Sequence, residues 1–83
     1  MTHAFLPLRP GDLARLIRCS VIWLEGIGRQ CRVEVEYGDL MLVLASDVDD
    51  CRVLLLTVDG RVGWLRRPEP DALTAWLERI ASV

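Results

Sequence analysis

Tyr37-Gly38-Asp39-Leu40-Met41-Leu42-Val43-Leu44 and, further on, Val58-Asp59-Gly60-Arg61-Val62-Gly63-Trp64-Leu65 each join a turn signal to an apolar run. Between them they set the architecture to expect. Asp59-Gly60 stands between Cys51 to Val58 and Arg61 to Arg66, and an Asp-Gly pair between strand-like stretches is the strongest short-range hairpin signal. Val53, Thr57 and Val58 are β-branched, Val62 and Trp64 share a face, and Gly63 leaves room for close backbone approach. Leu40 to Ala45 is apolar at consecutive positions, as expected of a strand covered on both faces or forming an interface. The two reversals predict a small, strongly bent β-barrel.

Upstream, Cys31, Val33, Val35 and Tyr37 alternate with Gln30, Arg32, Glu34 and Glu36. That is the period of a strand with one dry and one wet face. Glu25-Gly26-Ile27-Gly28 reverses the chain before it, so a hairpin is expected between roughly 20–25 and 29–37. Pro10-Gly11-Asp12 is a turn, preceded by an arm over 1–9 in which Pro7 keeps the backbone extended. The stretch from Asp12 to Cys19 fits two patterns. Leu13, Leu16 and Ile17 could share one helical face behind an Asp12 cap, or the same letters could form a first strand, which agrees better with the strand-like segments downstream. Towards the C-terminus, Pro68-Glu69-Pro70 ends the sheet. Leu73, Trp76, Leu77 and Ile80 then recur at three- and four-residue spacing, which predicts an amphipathic helix of about three turns within 69–83, packed on the barrel or on a partner.

A chain of 83 residues makes one domain, which buries only roughly 60 to 65% of the surface its unfolded form exposes. Its hydrophobic fraction is 52%, above the usual level of ~45 to 50%. Apolar surface is therefore left over for a contact. Cys19, Cys31 and Cys51 form no Cys-x-x-Cys pair, so neither a disulfide framework nor a zinc ribbon is expected, and three buried or half-buried thiols are. His3 stands at the chain start, away from any catalytic or metal set. A net charge of −2 disfavours a dedicated nucleic-acid binder, although all ten basic residues are arginine. No apolar run reaches the roughly 18 residues of a membrane span, and Met1 to Arg9 lacks the pattern of a secretory signal. A cytoplasmic protein without membrane contact is expected.

Residues 38–65 resemble the Src-homology-3 barrel. Gly38-Asp39 looks like its diverging turn, Asp47 to Asp50 like its short polar loop, and Asp59-Gly60 like its distal hairpin; Pro10-Gly11-Asp12-Leu13 is similar to the openings of small bacterial and phage barrel proteins. The resemblance implies a mainly β fold: a five- or six-stranded barrel over 10–68, a long first-loop hairpin and one C-terminal helix. Peptide-binding members carry a tyrosine-rich first strand and a tryptophan after the polar loop. Here Leu13-Ala14-Arg15-Leu16 and Cys51-Arg52-Val53 stand instead, so the proline-motif groove is largely absent.

Candidate interaction residues are Trp64 with Arg61, Arg66 and Arg67, and also Trp23 and Trp76. Trp64 reads first as core or subunit contact, and otherwise as an aromatic ring rimmed by guanidinium groups. Asp47, Asp49 and Asp50 lack the spacing of a calcium loop and read as a solvated acidic turn. No catalytic, cofactor or metal set is expected, and the chain reads as a non-enzyme. The leading expectation is a small protein-interaction or assembly module that self-associates, a dimer being favoured, or docks a protein partner. The alternative is a nucleic-acid-associated barrel acting through Arg61, Arg66 and Arg67.

Overall fold

The computed structural model describes residues 8–28, 32–47, 49–67 and 76–82. Most of the expected N-terminal arm, residues 1–7, lies outside the described residues. Seven strands form one antiparallel sheet: β1 Asp12–Leu16, β2 Val21–Gly26, β3 Arg32–Glu36, β4 Leu40–Asp47, β5 Arg52–Thr57, β6 Val62–Arg66 and β7 Leu77–Ser82. Their order is β3-β2-β6-β5-β4-β1-β7. The chain is mainly β, as the turn signals predict. The expected closed barrel of five or six strands is corrected to an open sheet of seven, with β3 and β7 as its edges. One core cluster nevertheless draws on every strand, so the sheet curls around its dry side. A single layer can bury a whole face only by bending over itself or by being covered.

Turn chemistry explains the reversals. Asp12 N–H donates to Arg9 O at 3.0 Å, with Pro10 and Gly11 between them and Gly11 at φ 94. A residue with positive φ at the third position is the requirement of a type II turn, and proline is favoured just before it. The second reversal repeats the device: Asp39 N–H donates to Glu36 O across Gly38, whose φ is 88. At the third, Gly60 N–H donates to Thr57 O and Thr57 N–H to Arg61 O, which makes a three-residue loop of Val58, Asp59 and Gly60 with Gly60 at φ 88. Thr57 Oγ1 also bonds the Asp59 carboxylate and accepts the Arg61 N–H.

The hairpin expected before residue 38 is present. β2 pairs with β3 from Val21↔Glu36 to Glu25↔Arg32, and Ile22, Leu24, Val33 and Val35 are its buried side. Residues 12–16 are strand, in line with the second of the two patterns they fit. The hairpin docks on β6 through Glu25↔Trp64 and Gly26↔Gly63. A Cβ on Gly63 would lie 2.7 Å from the Leu24 Cβ. The close approach inferred from that glycine is therefore real.

The C-terminal helix is corrected where it is described. Residues 68–75 and Val83 lie outside the described residues, but Leu77–Ser82 is strand β7, antiparallel to β1 from Leu16↔Leu77 to Asp12↔Ser82. Leu77 is buried and Glu78 faces out, while Ile80 is 44% exposed at the bulge where the register shifts. A helix of three turns is marginal in isolation. Pairing instead satisfies the backbone of both β7 and the outer edge of β1, and still buries Leu77.

Asp12 ties this edge together. It is buried, and its carboxylate accepts the Arg9 N–H at 2.9 Å and the Ser82 hydroxyl at 2.8 Å. Beside it, buried Leu8 gives its carbonyl to the Ser46 hydroxyl. Burial alone would raise the Asp12 pKa, but these hydrogen bonds and the charges of Arg79 and Arg9 outweigh it and hold the group below the ordinary carboxylate value. A depressed folded-state pKa gives stability that is present above the unfolded value, near pH 4, and is lost as pH falls through the folded value. Urea midpoints should thus fall on acidification from pH 6 to pH 3, and fall less in Asp12→Asn, which keeps an acceptor but does not titrate. An equal acid loss in that variant would show that Asp12 does not carry the effect.

Candidate interaction surface

Strand pairing lines up an apolar row on the outer side of the sheet. Leu13 pairs with Leu42 and with Ala81, Leu42 with Leu56, and Leu56 with Val62. Directly paired residues in an antiparallel sheet point to the same face. Leu13, Leu42, Leu56 and Val62 therefore form a continuous stripe over four strands, each only partly buried. Leu40 at 39% and Leu44 at 38% exposure extend it along β4, and Leu54 along β5. The inner neighbours Met41, Val43, Val53 and Leu55 are buried. The unbroken apolar runs thus serve two faces: alternate residues fill the core and the rest lie outside. The strand pairs in extensive contact are sheet neighbours, together with β3 and β6.

Trp64 belongs to the same side, where it pairs with Leu54 and Glu25. It is half-buried. Its partner is Arg52, whose guanidinium carbon lies 4.0 Å from the ring centroid. Arg52 in turn bonds Asp47 at 3.1 Å and approaches Asp50 at 3.7 Å. The Asp50 N–H and the Arg52 guanidinium hold the Asp47 carboxyl below its usual range. The acidic turn thus anchors an arginine that lies over Trp64 and bounds the stripe at one end. Arg52 is absent from the candidates that sequence proximity offers. Its signal is the register that the Asp59-Gly60 hairpin dictates: counting outward from Thr57 and Arg61 sets residue 54 against 64 and 52 against 66.

Arg61, Arg66 and Arg67 do not form one cluster around Trp64: Arg66, two residues on, lies on its side of β6 and bonds Glu25, the residue paired with Trp64, while Arg61 and Arg67 are three residues away. Arg61 lies five residues before Arg66 along an extended strand, about 16 Å at ~3.3 Å per residue. Each is also engaged. Arg61 Nε donates to Asp59 at 2.8 Å, and Arg66 Nε to Glu25 at 3.2 Å. Arg67 stacks on the half-buried Trp76 at 4.1 Å and donates from Nη1 to Arg66 O, while its Nε has no hydrogen-bond partner among the described residues. Burial pushes the Arg67 pKa down, and the nearby Cys19 sulfur opposes this. Trp76 packs on the core, and its carbonyl accepts the Ile17 N–H.

Trp23 is separate again, 53% exposed on β2 with Arg32 above its ring at 5.5 Å. The expectation of three sheltered thiols is corrected at Cys19, which is exposed because it sits in the bend between β1 and β2; Cys51 is buried, and Cys31 lies outside the described residues. Among the described residues no three metal-ligating side chains converge, and no helix is long and apolar enough to cross a membrane. No protein-family model, curated protein or solved structure matches the chain.

Proposed function

We propose that the protein is a small interaction module of Src-homology-3-like connectivity that self-associates through the outer face of β1, β4, β5 and β6. The observation that carries this reading is the registered stripe Leu13, Leu42, Leu56 and Val62. Monomeric soluble proteins rarely expose a continuous apolar area of more than a few hundred Å² without using it. Two-fold homodimers are the commonest assemblies of soluble chains. The connectivity has its own support. After β1 the chain spends a long hairpin, β2–β3, before β4 returns beside β1, and β4, β5 and β6 then follow as consecutive neighbours. That is where the resemblance puts its long first loop and its distal hairpin.

Light scattering over a micromolar dilution series tests the reading. The mass should fall from two chains toward one on dilution. A constant single-chain mass would overturn it.

A further inference from the structure

The register of β2 and β3 shows which backbone groups of β3 point to its open edge. Tyr37 N–H donates to Ser20 O at 2.9 Å, one step beyond the Val21↔Glu36 pair. Hydrogen-bonded pairs alternate in an antiparallel ladder, so Val35 and Val33 also bond β2, while Arg32, Glu34 and Glu36 turn their N–H and C=O groups outward. Two of these three residues are obstructed. Glu36 N–H donates to the Asp39 carboxylate at 2.9 Å, and Glu36 O accepts the Asp39 N–H at 3.0 Å. Glu34 O accepts from Arg61 Nη2 at 3.2 Å, a side chain that comes from the β5–β6 hairpin. The Glu34 N–H has no partner among the described residues.

We infer that Arg61 guards this edge: its guanidinium caps the Glu34 carbonyl and so keeps β3 of one copy from pairing with β3 of another. This goes beyond association through the outer face and does not rest on it.

The tip of the β5–β6 hairpin aims the guard. Thr57 Oγ1 bonds one oxygen of the Asp59 carboxylate, and the other oxygen accepts Arg61 Nε at 2.8 Å. The Arg61 N–H is itself held by Thr57 Oγ1 at 2.9 Å. A guanidinium is a planar fork of donors, so fixing Nε on Asp59 directs Nη2. Glu34, Asp39, Asp59 and Arg61 line one crevice of about 160 Å³ there. The edge needs such a block because its charges do not repel a second copy. Two β3 strands, antiparallel about a two-fold axis at Val33, would set Arg32 of each copy opposite Glu34 of the other. Both residues bond outward, so each pair would be a hydrogen-bonded rung, and opposite charges facing each other across strands are favourable. Edge charges usually deter strand addition. On this edge the Arg32-Val33-Glu34 order makes them self-complementary.

Hydrogen exchange at the Glu34 amide, read by NMR, tests the guard. In the wild type its rate should be the same at micromolar and millimolar concentrations. In Arg61→Ala it should slow by about tenfold at the higher concentration, the order of one added hydrogen bond. Asp59→Asn releases Arg61 without removing it and should slow the same amide in the same direction, which keeps the test open if Arg61→Ala fails to fold. No slowing in either variant, or a wild type that slows as much as Arg61→Ala, would overturn the guard. Outer-face association leaves the β3 edge open, so its presence or absence does not alter this result.

Discussion

Leu42→Glu is expected to weaken self-association by at least about a hundredfold, or ~2.7 kcal/mol. Leu42 sits at the middle of the outer row, paired with Leu13 on one side and Leu56 on the other. In the proposed dimer a glutamate there would be desolvated among leucines. Central, fully desolvated positions are where substitutions cost most, commonly about 2 kcal/mol or more. The same side chain is only partly buried within one chain, so the isolated fold should lose no more than about 1 kcal/mol. Sedimentation velocity reads the first effect and urea unfolding the second. A variant that unfolds outright would show that the stripe is core rather than contact surface. Leu55→Glu provides the contrast: its side chain is fully buried, and it should fail to fold.

Gly63→Ala is expected to destabilise the chain by about 1 to 3 kcal/mol, the usual cost of forcing atoms into a filled site. The added methyl would stand 2.7 Å from the Leu24 Cβ and 3.0 Å from the Glu25 carbonyl oxygen. Neither is the tip of a flexible side chain, so the only relief is to shift β2 away from β6. That seam is short, two residue pairs, and it holds the whole β2–β3 hairpin against the rest of the sheet. Gly60 tests the other use of glycine. A Cβ there meets nothing within 4 Å, but its φ of 88 is a left-handed conformation, so Gly60→Ala should cost about 1 to 2 kcal/mol through backbone strain alone. Leu24→Ala would not relieve the clash, because alanine keeps the Cβ that the added methyl meets. A Gly63→Ala variant with the wild-type urea midpoint would mean that the contact is not what makes the glycine necessary.

Much of the architecture is legible in the residues that turn the chain. Pro10-Gly11, Gly38-Asp39 and Asp59-Gly60 each require a backbone conformation that few other residues accept, so their positions and the strands between them follow directly. The alternation around Val33 and Val35 likewise fixes one hairpin and its buried side. The last strand is not legible, because Leu77 and Ile80 satisfy a helical stripe as well as they satisfy a strand. The choice is made by the free edge of β1, where Leu16 pairs with Leu77 from the far end of the chain. Closure fails for a related reason: turn signals specify neighbours in sequence, but not whether the first and last strands of a sheet meet.

The apolar outer face lies between these cases. Consecutive apolar residues in 40–45 and 53–56 announce that more than one face is apolar. The sequence ties Trp64 to arginine chemistry, but proximity along the chain selects Arg61, Arg66 and Arg67, whereas cross-strand register brings Arg52 over the ring. Alternation along an extended strand sends sequence neighbours to opposite faces, so clusters of charge read along a strand disperse in space. Partners are found by counting outward from the hairpin tip.

Sedimentation equilibrium on the wild type and Leu42→Glu at matched micromolar concentrations bears hardest on the outer face as the working surface. The wild type should reach twice the 9.4 kDa mass of one chain, while the variant stays at one chain with an unchanged circular dichroism spectrum. A wild type that remains a single chain, or a folded variant that keeps the wild-type mass, would contradict it.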